Sequence, residues 1–207
     1  MKLQNNYWYF PGALSNKLCD SIIKKGLKQK KKLAMTEGII PNKISKKELA
    51  NLKKKRDSHV VWLNDEELYS VITPYIFEAN RNAGWNFEVD WFESIQFTIY
   101  NGKKKQFYDW HKDSISAPYK TEDPNFDGKI RKLSACVSLS NPLDYVGGDF
   151  KFSVRDESKK EKIMTCKEIK TRGTIIVFPS HLWHTVTPVT KGIRHSLVIW
   201  GLGQPFR

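Results

Sequence analysis

From Phe87 onward the chain consists of short alternating segments separated by turn residues, and this pattern constrains the fold most strongly. Trp91 to Tyr100 alternates along its whole length, with Ile95, Phe97 and Ile99 on one face. Turn dipeptides such as Asn101-Gly102 follow the segments. Many short strands after a helical start predict an α+β, mainly β fold with a sandwich or barrel core. Further strands are predicted at 132–140, 148–154, 162–169, 173–178, 184–188 and 193–202.

The part of the chain before Phe87 has helical periodicity. Helices are predicted from Ser15 to Leu33, from Ser45 to Lys55, and from Asn64 or Asp65 to about Asn82. Ser58 to Leu63 reads as a strand between the last two helices. We expect 207 residues to form a single domain, 1–207. Residues 1–58 would be its basic, largely helical part, and 87–207 its β core.

The basic charge is concentrated at the N-terminus. Residues 1–58 contain 15 Lys and Arg against 4 Asp and Glu, whereas residues 59–207 contain 20 against 18. Such a segment can attract nucleic acid or an acidic surface, although charge runs are usually solvated faces. Lys outnumbers Arg 28 to 7, and readers of DNA bases rely on Arg forks. The basic segment therefore leaves nucleic acid open as a partner, but the composition does not favour it.

Cysteine spacing and hydropathy indicate in which cellular compartment the protein is expected. The three cysteines, Cys19, Cys136 and Cys166, are scattered, without disulfide or zinc-site spacing. No apolar run is long enough to span a membrane, and Met1 to Phe10 lacks the apolar core of a signal peptide. We therefore expect reduced thiols, a cytoplasmic location and no membrane partner.

Two separated motifs indicate a metal site. His111 and Asp113 lie two residues apart, so on a strand both would point to the same face. His184 follows an apolar strand, and His181 in the same loop is an alternative ligand. Two histidines and a carboxylate can occupy one face of a divalent metal and leave other positions open, as in non-haem Fe(II) oxygenases. His59 and His195 are expected to be structural.

Arg194 follows His184 by ten residues, across a predicted hairpin. On its strand, Arg194, Ser196, Val198 and Trp200 share one face. An arginine fork with a hydroxyl two residues on suits a carboxylate ligand. The alternative for Arg194 is an exposed charge on the strand.

Together these motifs resemble a known family. Their order resembles that of the Fe(II)/2-oxoglutarate-dependent dioxygenases, and within them the prolyl 4-hydroxylase-like (PKHD-type) branch, over roughly residues 56–207. The motifs are Phe107-Tyr108-Asp109-Trp110-His111-Lys112-Asp113, Gly147-Gly148-Asp149-Phe150, Phe178-Pro179, His184, Pro188, Gly192, Arg194, Ser196 and Trp200.

The resemblance implies a fold and a set of site residues. The fold would be a double-stranded β-helix, or jelly roll, with N-terminal helices packed on one sheet. His111, Asp113 and His184 would bind Fe(II). Arg194 would bind the distal carboxylate of 2-oxoglutarate, assisted by Tyr100 and Ser196. Residues matching substrate contacts are Tyr108, Arg131, Trp200 and Arg56.

The implied reaction couples O2 and 2-oxoglutarate to hydroxylation of an unactivated C–H bond, releasing succinate and CO2, with ascorbate as the reductant. The leading hypothesis is peptidyl prolyl 4-hydroxylation of a proline-containing peptide or protein. Alternatives are an oxidative nucleic-acid demethylase, or a hydroxylase of a free amino acid or small metabolite. A non-catalytic jelly roll that binds nucleic acid through residues 1–58 is a further one. The oligomeric state is not indicated.

Overall fold

The computed structural model describes residues 3–34, 45–114, 117–155 and 160–206. Strands contain 39% of the residues and helices 26%, so the prediction of a mainly β fold is confirmed. The helices are α1 (Asn16–Leu27), α2 (Lys46–Lys55) and α3 (Glu66–Asn82). The strands are β1 (Trp8–Phe10), β2 (Lys32–Leu33), β3 (Arg56–Asp57), β4 (His59–Leu63), β5 (Trp91–Phe92), β6 (Ile95–Asn101), β7 (Phe107–His111), β8 (Ile130–Ser138), β9 (Tyr145–Gly147), β10 (Phe150–Arg155), β11 (Glu161–Cys166), β12 (Ile175–Pro179), β13 (Trp183–Val186) and β14 (Val189–Gly203).

Side-chain caps fix where the helices begin. The Ser15 hydroxyl accepts a hydrogen bond from the Leu18 amide at the start of α1. Ser45 and Glu48 form a reciprocal capping box at the start of α2, and Asp65 caps α3. Such caps satisfy amides that have no partner inside the helix. All three predicted helices are therefore present.

The predicted end of the first helix was wrong. α1 stops at Leu27, and Lys32–Leu33 pairs with β4 as strand β2 instead of continuing to Leu33 as helix. After Leu27 the sequence Lys-Gln-Lys-Lys-Lys offers no apolar residue for the buried face of a helix. An amphipathic helix loses its main stabilisation where its apolar stripe ends.

Two antiparallel sheets form the β core. In the described residues the larger sheet has the order β1-β12-β8-β14-β6-β4-β2, with β5 and β9 also pairing with β14. The smaller sheet has the order β11-β10-β13-β7-β3. Strands β1 to β4 come from before residue 87, so both sheets draw on the N-terminal part of the chain. That 1–207 is one domain stays a prediction.

Two apolar clusters fill the spaces between the helices and the larger sheet and between the two sheets. In the first, α1 and α3 pack through Cys19, Ile22 and Ile72 on one face of the larger sheet, against residues such as Phe97. The second cluster lies between the sheets. Helix α2 differs from the expected packing, since its contacts are with β3 and β7 of the smaller sheet. The helical layer therefore leaves the space between the sheets available for a site.

The second cluster joins both sheets. The larger sheet contributes Tyr100, Cys136 and Phe178, and the smaller sheet contributes Phe150 and Phe152.

All three cysteines are buried and free, as expected. Among the described helices, none combines the length and apolar composition needed to cross a membrane.

Candidate metal centre

His111, Asp113 and His184 converge at one end of the space between the sheets. Their ligand atoms all lie within 4.8 Å of one another. The Nε2 atom of His111 is 3.7 Å from Oδ1 of Asp113, and the Nε2 atom of His184 is 3.5 Å from Oδ2. Residues 73 positions apart thus form one three-donor cluster, the arrangement that the sequence predicted.

Strand pairing brings the two histidines together. β7 and β13 are antiparallel neighbours, and His111 lies directly opposite His184 in their register. Opposed residues on neighbouring strands project to the same face. A register shift follows His184, where the regular pairing of β13 is interrupted.

Asp113 is not on a strand, and in this respect the prediction was wrong. β7 ends at His111, and the chain bends so that the amides of Asp113 and Ser114 both donate to the Ser180 carbonyl, at 3.0 and 2.8 Å. The loop that precedes His184 therefore positions the carboxylate. Ser180 is itself held by a 2.9 Å hydrogen bond to the Ser134 hydroxyl.

Backbone carbonyls orient both imidazoles. The Nδ1 of His111 lies 2.7 Å from the Asp109 carbonyl, and the Nδ1 of His184 lies 2.9 Å from the Leu182 carbonyl. A carbonyl can only accept, so each Nδ1 carries the proton in these contacts. Each Nε2 then faces Asp113 and is the ring nitrogen available to a metal. This is how histidine ligands are fixed around a metal.

The protonation states suit a divalent cation. Burial, together with the neighbouring His184, lowers the pKa of His111 to about 3, so this imidazole is neutral at pH 7. Burial opposes ionisation of Asp113, but His184, His111 and Arg131 outweigh it and lower its pKa to about 2. The cluster thus combines one carboxylate with two imidazoles, a donor set that suits Fe(II).

Aromatic rings enclose the centre. Phe150 stacks on His184 with ring centroids 5.4 Å apart, and Phe178 meets it edge-on at 4.7 Å. Tyr108 stacks on His111 at 3.4 Å. These rings exclude water from one side of the donors and restrict the orientations of both imidazoles.

The donors open into a pocket of about 340 Å³ between the sheets. Arg194, Ser196, Val198 and Trp200 of β14 all line it, so their predicted common face is confirmed. Tyr100, directly opposite Arg194 in the pairing of β6 with β14, lines it too. The alternative of an exposed Arg194 is wrong, because the residue is only 1% exposed.

Arg194 has bonding capacity to spare. Its Nη1 donates to the Ser196 hydroxyl at 3.2 Å, while its Nη2 is buried without a partner among the described residues. A buried guanidinium that lacks an acceptor is costly. A carboxylate in the pocket would supply that acceptor, so the site fits 2-oxoglutarate.

Arg131 is held by a carboxylate that the sequence analysis missed. Both oxygens of Glu93 accept from Arg131, at 2.5 and 2.7 Å. The guanidinium lies over the Trp200 ring, 4.1 Å from its centroid, and donates to the Asp113 carbonyl at 3.4 Å. Tyr119 also donates to Glu93. Arg131 thus links the metal-side loop to the wall of the pocket.

In the sequence, the only sign of Glu93 was that it is the single charged residue between Trp91 and Tyr100. The predicted continuous strand 91–100 is interrupted at Glu93 and Ser94, between β5 and β6. This break turns Glu93 toward Arg131, 38 residues away in sequence. Trp62, Gln96, Lys112 and Cys136 also line the pocket and were not predicted.

Replacing Glu93 with Gln should destabilise the fold by about 3 kcal/mol, because it leaves the Arg131 cation buried without its counter-charge. The same change should loosen Arg131 and raise the KM for a substrate that contacts it. Urea unfolding and steady-state kinetics measure the two effects. Glu161→Gln, on the exposed strand β11, is the matched control. Wild-type stability in Glu93→Gln would contradict this account of the pair.

Two further predicted substrate residues lie together on the smaller sheet. Arg56 of β3 pairs with Tyr108 of β7, and its guanidinium carbon lies 4.3 Å from the Tyr108 ring centroid. Arg56 is buried and donates to the Ser58 hydroxyl. Both residues line the pocket. With them, all ten site residues that the sequence predicted lie around this one pocket.

The remaining histidines lie away from the donor cluster. His181, the alternative ligand, packs against Phe206. His59 lies beside the Gln106 amide, and His195 stacks on Phe97 with its Nδ1 near the Ser140 hydroxyl. Among the described residues, His184 is therefore the histidine that joins His111 and Asp113, and its role as a metal ligand stays a prediction.

His195 should make stability depend on pH. Burial, aided by the charges of Lys31 and Arg194, lowers its pKa from 6.5 to about 4. Between these values the unfolded chain takes up a proton that the folded protein does not, so stability is lost as pH falls from 6.5 toward 4. At pH 5, relative to pH 7, we expect the wild type to lose about 2 kcal/mol more than His195→Gln does. Urea unfolding at both pH values tests this, and parallel losses in the two proteins would refute it.

The geometry agrees with a match to a known family. The model of the 2OG-Fe(II) oxygenase superfamily matches residues 95–201, just over half of the chain, and includes all three candidate ligands and Arg194. The chain belongs to the 2OG-Fe(II) oxygenase superfamily. The predicted family resemblance is thereby confirmed.

Curated relatives of this chain include PKHD-type hydroxylases. That of Synechococcus sp. (strain JA-2-3B'a(2-13)) is 34% identical over 68 residues, which cover 33% of this chain and 27% of the relative. That of Pseudoalteromonas atlantica (strain T6c / ATCC BAA-1087) is 30% identical over 106 residues, covering 51% and 41%. The chain thus matches less than half the length of these relatives.

Solved structures share the fold of this chain over nearly its whole length. The viral collagen prolyl hydroxylase of Paramecium Bursaria Chlorella virus-1, in complex with 2OG, has a TM-score of 0.62 at 21% identity and covers 96% of this chain and 97% of its own. A Pseudomonas putida prolyl-4-hydroxylase has a TM-score of 0.66 at 17% identity, covering 95% and 92%. The predicted jelly-roll core is therefore confirmed.

Proposed function

We propose that the protein is an Fe(II)- and 2-oxoglutarate-dependent dioxygenase that hydroxylates a prolyl residue in a peptide or protein. One observation carries the proposal. The two-histidine, one-carboxylate cluster opens into the same pocket as a buried arginine that has an unpartnered Nη2. Membership of the superfamily supports the reaction class, and the names of the relatives and neighbours support the substrate class.

His111, Asp113 and His184 would hold Fe(II) through two Nε2 atoms and a carboxylate oxygen. Bound there with 2-oxoglutarate and O2, the iron would supply the oxidising chemistry, converting 2-oxoglutarate to succinate and CO2 and hydroxylating the substrate. Ascorbate would serve as the reductant. The protein contributes fixed donors: the backbone contacts at each Nδ1 keep the Nε2 lone pairs directed inward.

Arg194 would bind the distal carboxylate of 2-oxoglutarate. Its free Nη2 supplies one hydrogen bond, and Ser196 holds the other arm of the fork in place. Tyr100 lies beside the guanidinium, whose carbon is 5.5 Å from the ring centroid. Burial raises the pKa of Tyr100 to about 12, so its hydroxyl keeps its proton and can donate to a carboxylate.

Aromatic residues around the donors suit a proline ring. Tyr108 and Trp200 line the pocket, and each lies against an arginine, Arg56 and Arg131 respectively. The arginines limit ring motion and offer donors for peptide carbonyls. Proline-containing segments already favour an extended polyproline II shape, which lowers the entropic cost of binding in a groove.

The direct test is mass spectrometry of proline-containing peptides after incubation with the protein, Fe(II), 2-oxoglutarate, O2 and ascorbate. We expect a product heavier by one oxygen atom, located on proline by fragmentation, and an equal amount of succinate. A parallel panel of free amino acids tests the small-molecule alternative. If free amino acids are hydroxylated and the peptides are not, the proposed substrate class is wrong.

A further inference from the structure

One edge of the molecule carries a concentration of exposed lysines. Four segments contribute to it: strand β2, the end of α2, the turn after β6, and β14 near its start. We call this surface the lysine edge. Its members are Lys31, Lys32, Lys53, Lys54, Lys55, Lys103, Lys104, Lys105 and Lys191.

Strand pairing shows that these segments are neighbours. β2 is an edge strand of the larger sheet and β3 is an edge strand of the smaller sheet. The chain passes from β3 to β4, the partner of β2, through Ser58 alone. Both sheets therefore end on the same side of the molecule.

The turn after β6 joins the same side. The Gln106 side chain donates to Asp57 of β3 at 2.8 Å, which fixes the turn next to the end of α2. Gly102 lies so close to the Lys191 backbone that an added Cβ would be 2.6 Å from it. Four segments that are distant in sequence thus present their lysines together.

The charge of the lysine edge is not neutralised within the described part of the chain. No ion pair is made there by any of its nine lysines, whereas Lys25, Lys129 and Lys170 elsewhere each pair with an aspartate. Carboxylates on the same segments are engaged otherwise. Glu48 caps α2, and Asp57 accepts from Gln106.

The lysine edge is continuous with the pocket. Lys55 is followed directly by Arg56, which turns inward, is buried and lines the pocket beside Tyr108. A chain that leaves the pocket past Arg56 therefore meets Lys53 to Lys55 next. The positive charge lies where the flank of a bound polypeptide would run.

We propose that the lysine edge binds an acidic stretch of the same polypeptide whose target residue occupies the pocket. This inference rests on the proposed function and adds a feature of the substrate, a run of Asp or Glu beside the modified segment. Unpaired ammonium groups attract carboxylates from a distance, which raises the association rate more than it prolongs the complex.

A polypeptide fits this surface better than a nucleic acid. Readers of bases use arginine forks, and the arginine next to the lysine edge in sequence, Arg56, is turned into the pocket. An extended peptide can also run alongside β3, the outer strand of the smaller sheet, and place successive side chains at strand spacing.

The test compares binding of two labelled peptides by fluorescence anisotropy, without O2 so that no turnover occurs. Both contain the same proline-containing segment, flanked by glutamates in one and by glutamines in the other. We expect the glutamate peptide to bind more tightly, with a preference that falls as salt is raised. Lys54→Gln/Lys104→Gln should weaken its binding about fivefold. Lys162→Gln/Lys167→Gln, which removes equal charge at β11 on the opposite edge, should leave the binding unchanged.

Two results would overturn the inference. One is equal affinity for the two peptides, or equal losses in the two double variants. The other is displacement of the glutamate peptide by duplex DNA or single-stranded RNA of equal total charge at a lower concentration than by unlabelled glutamate peptide. Hydroxylation is assayed separately by mass spectrometry. Turnover without a glutamate preference refutes the lysine-edge inference alone, and binding without turnover of any prolyl peptide refutes the proposed function alone.

Discussion

Replacing His111 or His184 with alanine is expected to abolish tight Fe(II) binding and to lower turnover at least about a thousandfold. Each imidazole supplies one of three donors that the described residues bring together, and among those residues no fourth His, Cys, Asp or Glu lies within reach. Asp113→Ala should have the same effect, since it removes the negative charge of the donor set. Anaerobic titration calorimetry with Fe(II) measures binding, and succinate formation measures turnover.

His181→Ala is the matched control, because His181 lies three residues before His184 and packs against Phe206 outside the cluster. It should retain Fe(II) binding and turnover. Circular dichroism and thermal melting of every variant separate lost binding from lost folding. If His181→Ala loses activity while His184→Ala keeps it, the assignment of the second imidazole ligand is wrong.

Arg194→Ala is expected to raise the KM for 2-oxoglutarate about a hundredfold, while Fe(II) binding persists. The guanidinium is fully enclosed, and its Nη2 has no partner among the described residues until a carboxylate binds. Losing a charge-assisted pair in such a place costs about 3 kcal/mol, which corresponds to a factor of about one hundred. Succinate formation at varied 2-oxoglutarate concentration gives the KM.

Two variants serve as comparisons for Arg194. Arg194→Lys keeps the charge but loses the fork, so it should fall between the wild type and Arg194→Ala. Arg172→Ala removes a guanidinium that pairs with Asp20 outside the pocket, and it should leave the KM for 2-oxoglutarate unchanged. An unchanged KM in Arg194→Ala would show that the carboxylate binds elsewhere.

Residue spacing, together with the family resemblance, predicted the donor cluster at the centre of the site. His111 and His184 could be paired in advance because each belongs to a motif whose order along the chain is informative, and β7 and β13 place them opposite each other. The shared face of Arg194 and Trp200 followed from the two-residue period of a strand. Strong periodicity likewise predicted α3 and the alternation in β6.

Features that depend on contacts between distant segments could not be predicted. Glu93 could not be recognised from the sequence because its function depends on Arg131. The break between β5 and β6, which directs Glu93 toward Arg131, is not visible in the alternation of apolar and polar residues. The bend that places Asp113 depends on Ser180. β2 and β3 contain two residues each, too few for any period to show.

The lysine edge shows the same limit. The sequence has a basic N-terminal part, but only the contacts between segments show that Lys103 to Lys105 and Lys191 join Lys53 to Lys55 on one side of the molecule. A linear charge count cannot separate a solvated face from such a convergence.

The most direct test of the central claim is a crystal structure grown without O2 in the presence of Mn(II), as a redox-inert substitute for Fe(II), and 2-oxoglutarate. Anomalous scattering locates the metal independently of the protein coordinates. We predict one metal ion bonded to Nε2 of His111, a carboxylate oxygen of Asp113 and Nε2 of His184, with the distal carboxylate of 2-oxoglutarate on Arg194. A metal bound elsewhere, or 2-oxoglutarate held away from Arg194, would contradict the account.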